Sequence, residues 1–600
     1  MKRQYRNLTA TEVEQLERQG NCAGNWMSVM VTDVFDASCL RNNNFEGDIR
    51  LGDISSRRVD KGNMPLHEGI YNSSLVNCTV GDRPLIRNVQ MLCGYTIGND
   101  VTLQNIDEMS CTADPHRLAW MEPMNENGGR RLLPFPGMTV GEAYLWARYR
   151  GCKPLMERLE QFTYARLATD EGRYGQVGDS CSVVNTKTIR NVALLSTAAD
   201  PTIIDNCIAL CDGVVNTGCT LEHGVIARRF LLGEHVHLEF GLRLNDTVVG
   251  DNSTLARCEV AGSIIFPAHE QHHNNSFLIA ALIMGQSNVA AGGTIGSNHN
   301  SRTADGEIAA GRGFWPGLCC SFKHSSRFAS YCLLAKADYP AELDIKLPFA
   351  LVNNNTSKDQ LEVMPAYWWM YNMYALDRNS KKFAKRDKRV VKAQHIEFDL
   401  LAPDTAEEML QAVALLQGWI EASSDGIVRA DGMEKSSRPT VILKAREGIE
   451  AYRQMLLCYA MQRLTAAYGS SLPPATLASD SRIQHWVNIG GQIIPADDIQ
   501  TLITDVQEGR IGDWKAVRER FVRLAEDYAT EVTKHAYGLL SALVGASVID
   551  ADLWQAALDR YEEIKNYIEQ QKAASRHKDD VNTFRRMTYW DDAERAAVLG

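Results

Sequence analysis

The stretch IALCDGVVNTGCTLEHGVIARRFLLGEHVHLEFGLRL, residues 208–244, decides the fold. Stepping by six from Ile208 gives Val214, Thr220, Ile226, Leu232, Leu238 and Leu244, six large aliphatics in seven positions. The same step from Ile265 gives Gln271, Phe277, Ile283, Val289 and Ile295, and nearer the N-terminus it gives Leu85, Met91, Ile97 and Leu103. A helix face recurs every 3.6 residues and a strand face every second one, so neither alone repeats at six. A period of six means one short strand plus one turn per unit, with the column pointing into a continuous core. That is a β-solenoid.

Two further regularities accompany the column. Glycine follows it at Leu51-Gly52, Val80-Gly81, Ile97-Gly98, Leu232-Gly233, Val249-Gly250 and Ile295-Gly296. At these sites glycine is expected to turn a corner with positive φ. Four places after the column stand small or β-branched residues, Ser55, Val101, Val236 and Ser253, whereas Pro84 and His299 break the rule. Together these features resemble the hexapeptide repeat of the left-handed parallel β-helix superfamily, which includes UDP-N-acetylglucosamine acyltransferases and γ-type carbonic anhydrases. The resemblance covers about 45–105 and 186–345. It implies a triangular prism with left-handed crossovers, three hexapeptides and so about eighteen residues to a coil, and assembly as a trimer. The split repeat and the long helical tail also resemble an uncharacterised family of large hexapeptide-repeat proteins from Bacteroidetes, a domain of unknown function.

Outward from the repeat the texture changes. VGEAYLWARYRGCKPLMERLEQFTYARLA (140–168) is helical and sits between the two strand-rich parts. Beyond about 355 the apolar residues fall at helical spacing, as in TAEEMLQAVALLQGWIEA (405–422) with its acidic first turn. The expected organisation is an N-terminal segment (1–45), a first part of the β-helix (46–105), a partly helical insertion (106–185), the main β-helix (186–350) and an α-helical C-terminal domain (351–600).

Composition narrows the function. With 600 residues, 45% hydrophobic and 23% charged, the chain has the make-up of a soluble multidomain protein. A net charge of −11 argues against a general nucleic-acid binder. The one basic run, Lys381-Lys382-Phe383-Ala384-Lys385-Arg386, reads as a solvated face or linker, with a phosphate or nucleic-acid site as the alternative. The 15 cysteines show neither disulfide-scaffold nor zinc spacing. The longest apolar run, FLIAALIM (277–284), is too short to span a bilayer. A cytoplasmic protein with no membrane or nucleic-acid partner is expected. Phosphate-loop, dinucleotide and nucleophile-elbow motifs are missing.

Candidate chemistry gathers where the rung rule fails. HEQHHNN (269–275) offers His272 and His273 as bases, with His269 and Glu270 as substrate contacts; a metal site and a plain polar loop are the alternatives. In SNHNSR (297–302) the leading catalytic candidate, His299, occupies a position that the repeat wants small. Asn298, Asn300 and Arg302 beside it could hold a polar or anionic ligand. SFKHSSRF (321–328) adds His324 and Arg327. No residue is assigned to a metal. The resemblance implies transfer of an acyl group from acyl-CoA to a hydroxyl or amine of a sugar or sugar nucleotide, with a histidine as general base. The rival reading is a non-catalytic solenoid that binds a sugar nucleotide, a polysaccharide or another protein.

Overall fold

The computed structural model describes residues 3–61, 64–125, 128–296, 306–479 and 482–599. Its backbone from the N-terminus to about residue 350 is a parallel β-solenoid. Leu85–Cys93 pairs in parallel with Thr102–Ser110, and Ala209–Val215 with Ile226–Leu232, which in turn pairs with Arg243–Val249. The inward column is Leu210, Val215, Leu221, Ala227, Leu232, Leu238, Leu244, Val249 and Leu255, none more than 2% exposed.

The steps along that column are five, six, six and then five again. Along this stretch a coil therefore holds seventeen residues, as Leu85 opposite Thr102 and Ala209 opposite Ile226 show, whereas later coils keep the expected eighteen, as Ile264 opposite Leu282 and Trp315 opposite Leu333 show. A strict step of six slips out of phase after each short face. In the opening stretch Leu232, Leu238 and Leu244 do point inward, but Ile208 is 44% exposed and Val214 faces out of the prism. Likewise Ile97 and Leu103 lie inside, whereas Met91 is exposed and its neighbour Leu92 fills the core.

Corners turn through left-handed backbone, and asparagine supplies much of it. Asn42, Asn72, Asn88, Asn105 and Asn185 all have φ between 51° and 54°. Asparagine tolerates this region better than other side chains with a Cβ. Each amide Nδ2 donates to the Oδ1 of the next asparagine at 2.8–3.1 Å, making a ladder down one edge. Of the glycines after the column, Gly296 turns with the expected positive φ of 88°, but the others do something else. Gly81 and Gly250 lack positive φ; a Cβ on Gly81 would lie 2.5 Å from the carbonyl oxygen of Gly98, and one on Gly250 would lie 2.4 Å from the nitrogen of Pro267. Close stacking of coils, not a left-handed turn, excludes a side chain there.

The solenoid also begins earlier than residue 46. Val29–Val31 pairs in parallel with Ile49–Leu51, and helix α1 (Ala10–Arg18), held by a Thr9/Glu12 capping box, packs its buried Leu16 on the first turn. The insertion is shorter than 106–185. Strand Thr102–Ser110 is still a rung, and the coil resumes at Gln176–Val177. Between them α2 (Val140–Arg148) and α3 (Lys153–Leu167) fold back on the solenoid.

At the far end, the hairpin Leu351–Asn355 and Gln360–Met364, joined by Thr440–Ile442, closes the last coil. There follow α4 (Tyr367–Tyr371), α5 (Met373–Lys385), α6 (Pro403–Ala422), α7 (Ala445–Tyr468), α8 (Ala496–Gln507), α9 (Trp514–Val544) and α10 (Ala551–Asp580). The helices serve two purposes. Those around α7 share one core with the solenoid end, with the Tyr452 hydroxyl donating to the carbonyl of Pro348 at 2.5 Å. The α2, α3, α8 and α9 helices cover the outward face built by Ala193, Val214, Leu231 and Val248. No helix among the described residues is long and apolar enough to cross a membrane.

Candidate functional site

His269 follows the column residue Ile265 by four and therefore points into the prism. It is fully buried, stacked between Ser253 and Ser287 of neighbouring coils. Its Nδ1 lies 2.8 Å from Ser287 Oγ and its Nε2 lies 3.2 Å from Gln271 Oε1. Burial lowers its pKa to about 4, so the ring is neutral at pH 7. The expected substrate contact is thus an interior polar link with no access to a ligand. Glu270 faces the other way. Its Oε2 meets Lys382 Nζ and its Oε1 meets Arg386 Nη1, each at 2.5 Å. After Gln271 the chain leaves the rung at 272–275. His272 is half-buried and His273 exposed, with ring centroids 4.4 Å apart. Burial, followed by the neighbouring His273, holds the His272 pKa below its ordinary value.

The other histidine groups lie elsewhere. His324 is buried and packs on Gly296, where a Cβ would approach its Nε2 to 2.6 Å. It sits inside the stack of coils and so is not positioned as a surface contact. Arg327 forms a two-pronged pair with Asp344 on the next coil at 2.8 and 3.1 Å and remains largely exposed. That pair is a surface rung between neighbouring coils. The strand Ser276–Ile279 spans one face between the corner of His272 and the corner of Gly296 and His324, so these two groups do not converge. His299, Asn298, Asn300 and Arg302 lie outside the described residues. Among the described residues no three His, Cys, Asp or Glu side chains gather as a metal site would require.

What the structure brings to Glu270 is α5. Arg378, Lys382 and Arg386 are spaced by four and form one stripe along it. Two cations meet one carboxylate, and Arg378 makes no ion pair among the described residues. The stripe therefore keeps a positive excess, and its last members sit at a helix C-terminus, where the backbone dipole favours cations. Beneath α5 is a cavity of about 100 Å³, several waters' worth, walled by Asn288, Trp315 and Tyr331 from the solenoid and by Asn379 and Phe383 from the helix. Reading the basic run as a solvated face or linker missed this stripe. The signal was present as a spacing of four running back from Arg386 through Lys382 to Arg378.

Residues 5–419 match the profile of a family described as "Domain of unknown function (DUF4954)". The chain belongs to the DUF4954 family. The match takes in the whole solenoid, the insertion and α5, and hence both walls of the cleft. A second profile, "Domain of unknown function (DUF6819)", matches residues 474–580, from α8 through α10. An "Uncharacterized protein" of Treponema pallidum (strain Nichols) is 39% identical over 655 residues, covering 100% of this chain and 90% of that protein. This DUF4954 protein thus has a relative similar along its entire length, helical tail included.

Proposed function

We propose that the protein is a solenoid scaffold that binds an anionic small molecule of the sugar-phosphate type in the cleft between the coils and α5. One observation carries this reading: three cations in a stripe, with a single carboxylate opposite, over a cavity walled by aromatic rings, in a chain of net charge −11. Arginine and lysine on a preformed helix meet phosphate oxygens without reorganising. Isothermal titration with inorganic pyrophosphate tests it. The wild type should bind, more weakly as salt rises. Arg378→Ala should weaken binding about tenfold, the loss of one charge-assisted contact. Arg327→Ala, which removes only a surface rung, should not. Absence of binding, or equal binding by the Arg378 variant, refutes the reading.

Acyl transfer, the activity implied by the superfamily resemblance, keeps one supporting observation. His272 is held neutral at pH 7 beside the cation stripe, as a general base must be. An acyl-CoA-dependent transfer to an amino sugar that disappears in His272→Ala would establish it. The trimer implied by the same resemblance would have to pack through faces that the helices leave uncovered.

A further inference from the structure

The hydrogen-bonding groups around the cavity divide sharply into committed and uncommitted ones. Gln286 is used at both ends, accepting from the Tyr331 hydroxyl and donating to the Glu397 carbonyl, each at 2.6 Å. The Trp368 indole donates to the Tyr331 carbonyl at 2.9 Å, and the Ser380 hydroxyl to that of Asp377. By contrast, the side chains of Asn288 and Asn379 and the indole N–H of Trp315 make no hydrogen bond among the described residues, although all three line the cavity.

The two carboxamides come from opposite walls, one from a coil and one from α5. Each presents a donor beside an acceptor. A nucleobase edge has the same alternation, which is why asparagine reads bases with two parallel bonds. Trp315 and Phe383 bring aromatic surface to the cavity against which a flat ring can pack, while Tyr331, already stacked on Phe349 at 4.7 Å, closes its wall. The space admits one ring system, not a polymer. From Asn379 and Phe383 the helix leads directly to Arg378 and Lys382.

Resting on the anion-binding reading above, we infer that the cavity is a base pocket and that the ligand is a nucleoside phosphate, its base under α5 and its phosphates on the Arg378–Lys382–Arg386 stripe.

Calorimetry on the full chain separates the two readings. The probes are pyrophosphate, ribose 5-phosphate, the four common nucleoside monophosphates and the corresponding uncharged nucleosides. At least one nucleotide should bind tenfold or more tightly than ribose 5-phosphate. Asn288→Ala and Asn379→Ala remove side chains with no hydrogen-bond partner among the described residues and should leave folding intact. Each should erase most of that advantage while leaving pyrophosphate binding unchanged. If ribose 5-phosphate binds as tightly as every nucleotide, or if both asparagine variants keep full nucleotide affinity, the base pocket is refuted and anion binding stands. If nucleosides bind but pyrophosphate does not, the base pocket stands and the anion reading falls. If no probe binds, both fall.

Discussion

A methyl group on Gly81 would sit 2.5 Å from the carbonyl oxygen of the next coil, and the neighbouring backbone has nowhere to go. Gly81→Ala and Gly250→Ala are therefore expected to destabilise by about 1–3 kcal/mol, the usual cost of overpacking. Gly151→Ala, with nothing near its Cβ, should be close to neutral. Urea-unfolding midpoints read the difference. His269 supplies a second test. Its folded pKa of about 4 lies below its ordinary value of 6.5, so the unfolded chain takes up a proton that the folded one refuses. Stability should be unaffected above pH 6.5 and fall as pH drops from 6.5 towards 4, by about 1.4 kcal/mol per unit for this residue. His535, lowered by burial to about 3, adds a similar slope. His269→Asn should flatten the acid limb measured by urea unfolding at successive pH values; an unchanged slope would show that the ring titrates freely. The inward position of His269 was legible: the count of four that picks out Val101, Val236 and Ser253 also picks out His269 after Ile265. The polar run around it suggested a loop instead. What the count cannot supply is the pair of hydroxyl and amide partners, Ser287 and Gln271, because one of them comes from the following coil.

At the level of elements, α5 is pinned to the coils through Glu270 and to the tail through α10, where the Tyr374 amide donates to the Ser575 hydroxyl. Glu270→Gln leaves Lys382 and Arg386 without their carboxylate. Amide hydrogen exchange in α5 should quicken, and pyrophosphate should bind several-fold more tightly because the internal competitor is gone. The insertion is held differently, by apolar contact. Val248 lies under α2, and Val248→Asp would bury a carboxylate in an apolar layer, a cost of several kcal/mol. Limited proteolysis should then cut between 111 and 175 while the coils stay intact. The existence of the solenoid, the insertion and the helical tail could be read from periodicity. The phase of the column could not be read with a fixed step of six, because in the coils up to about residue 255 every third face is one residue short. Val214, which belongs with Leu231 and Val248 to the outward apolar row, was likewise counted into the core column, since a covered outer face and an inner one look alike in composition. The cleft escaped notice because its two walls are about a hundred residues apart in sequence.

Taken whole, the molecule is a rod with both ends stopped. A solenoid coil can satisfy only its neighbours, so a bare end leaves strand edges and apolar side chains in water. Helix α1 closes one end, and the 351–364 hairpin with α4 and α7 closes the other. A chain ending at 350 is therefore expected to aggregate, as light scattering would show, even though all the preceding rungs are present. The tail is part of the solenoid's stability as well as the roof of its cleft.

The insertion leaves the prism at Cys111 and rejoins it at Gly175, and a Cβ on Gly175 would lie only 2.9 Å from that of Cys111. Thr102 pairs with Ser182, eighty positions on, as closely as Leu85 pairs with Thr102 at seventeen. The coil geometry is thus indifferent to how much chain is spliced in at that junction. Such a seam lets a lineage lengthen, shrink or exchange the excursion without retuning a single rung, provided the replacement shelters the same oily row beneath it.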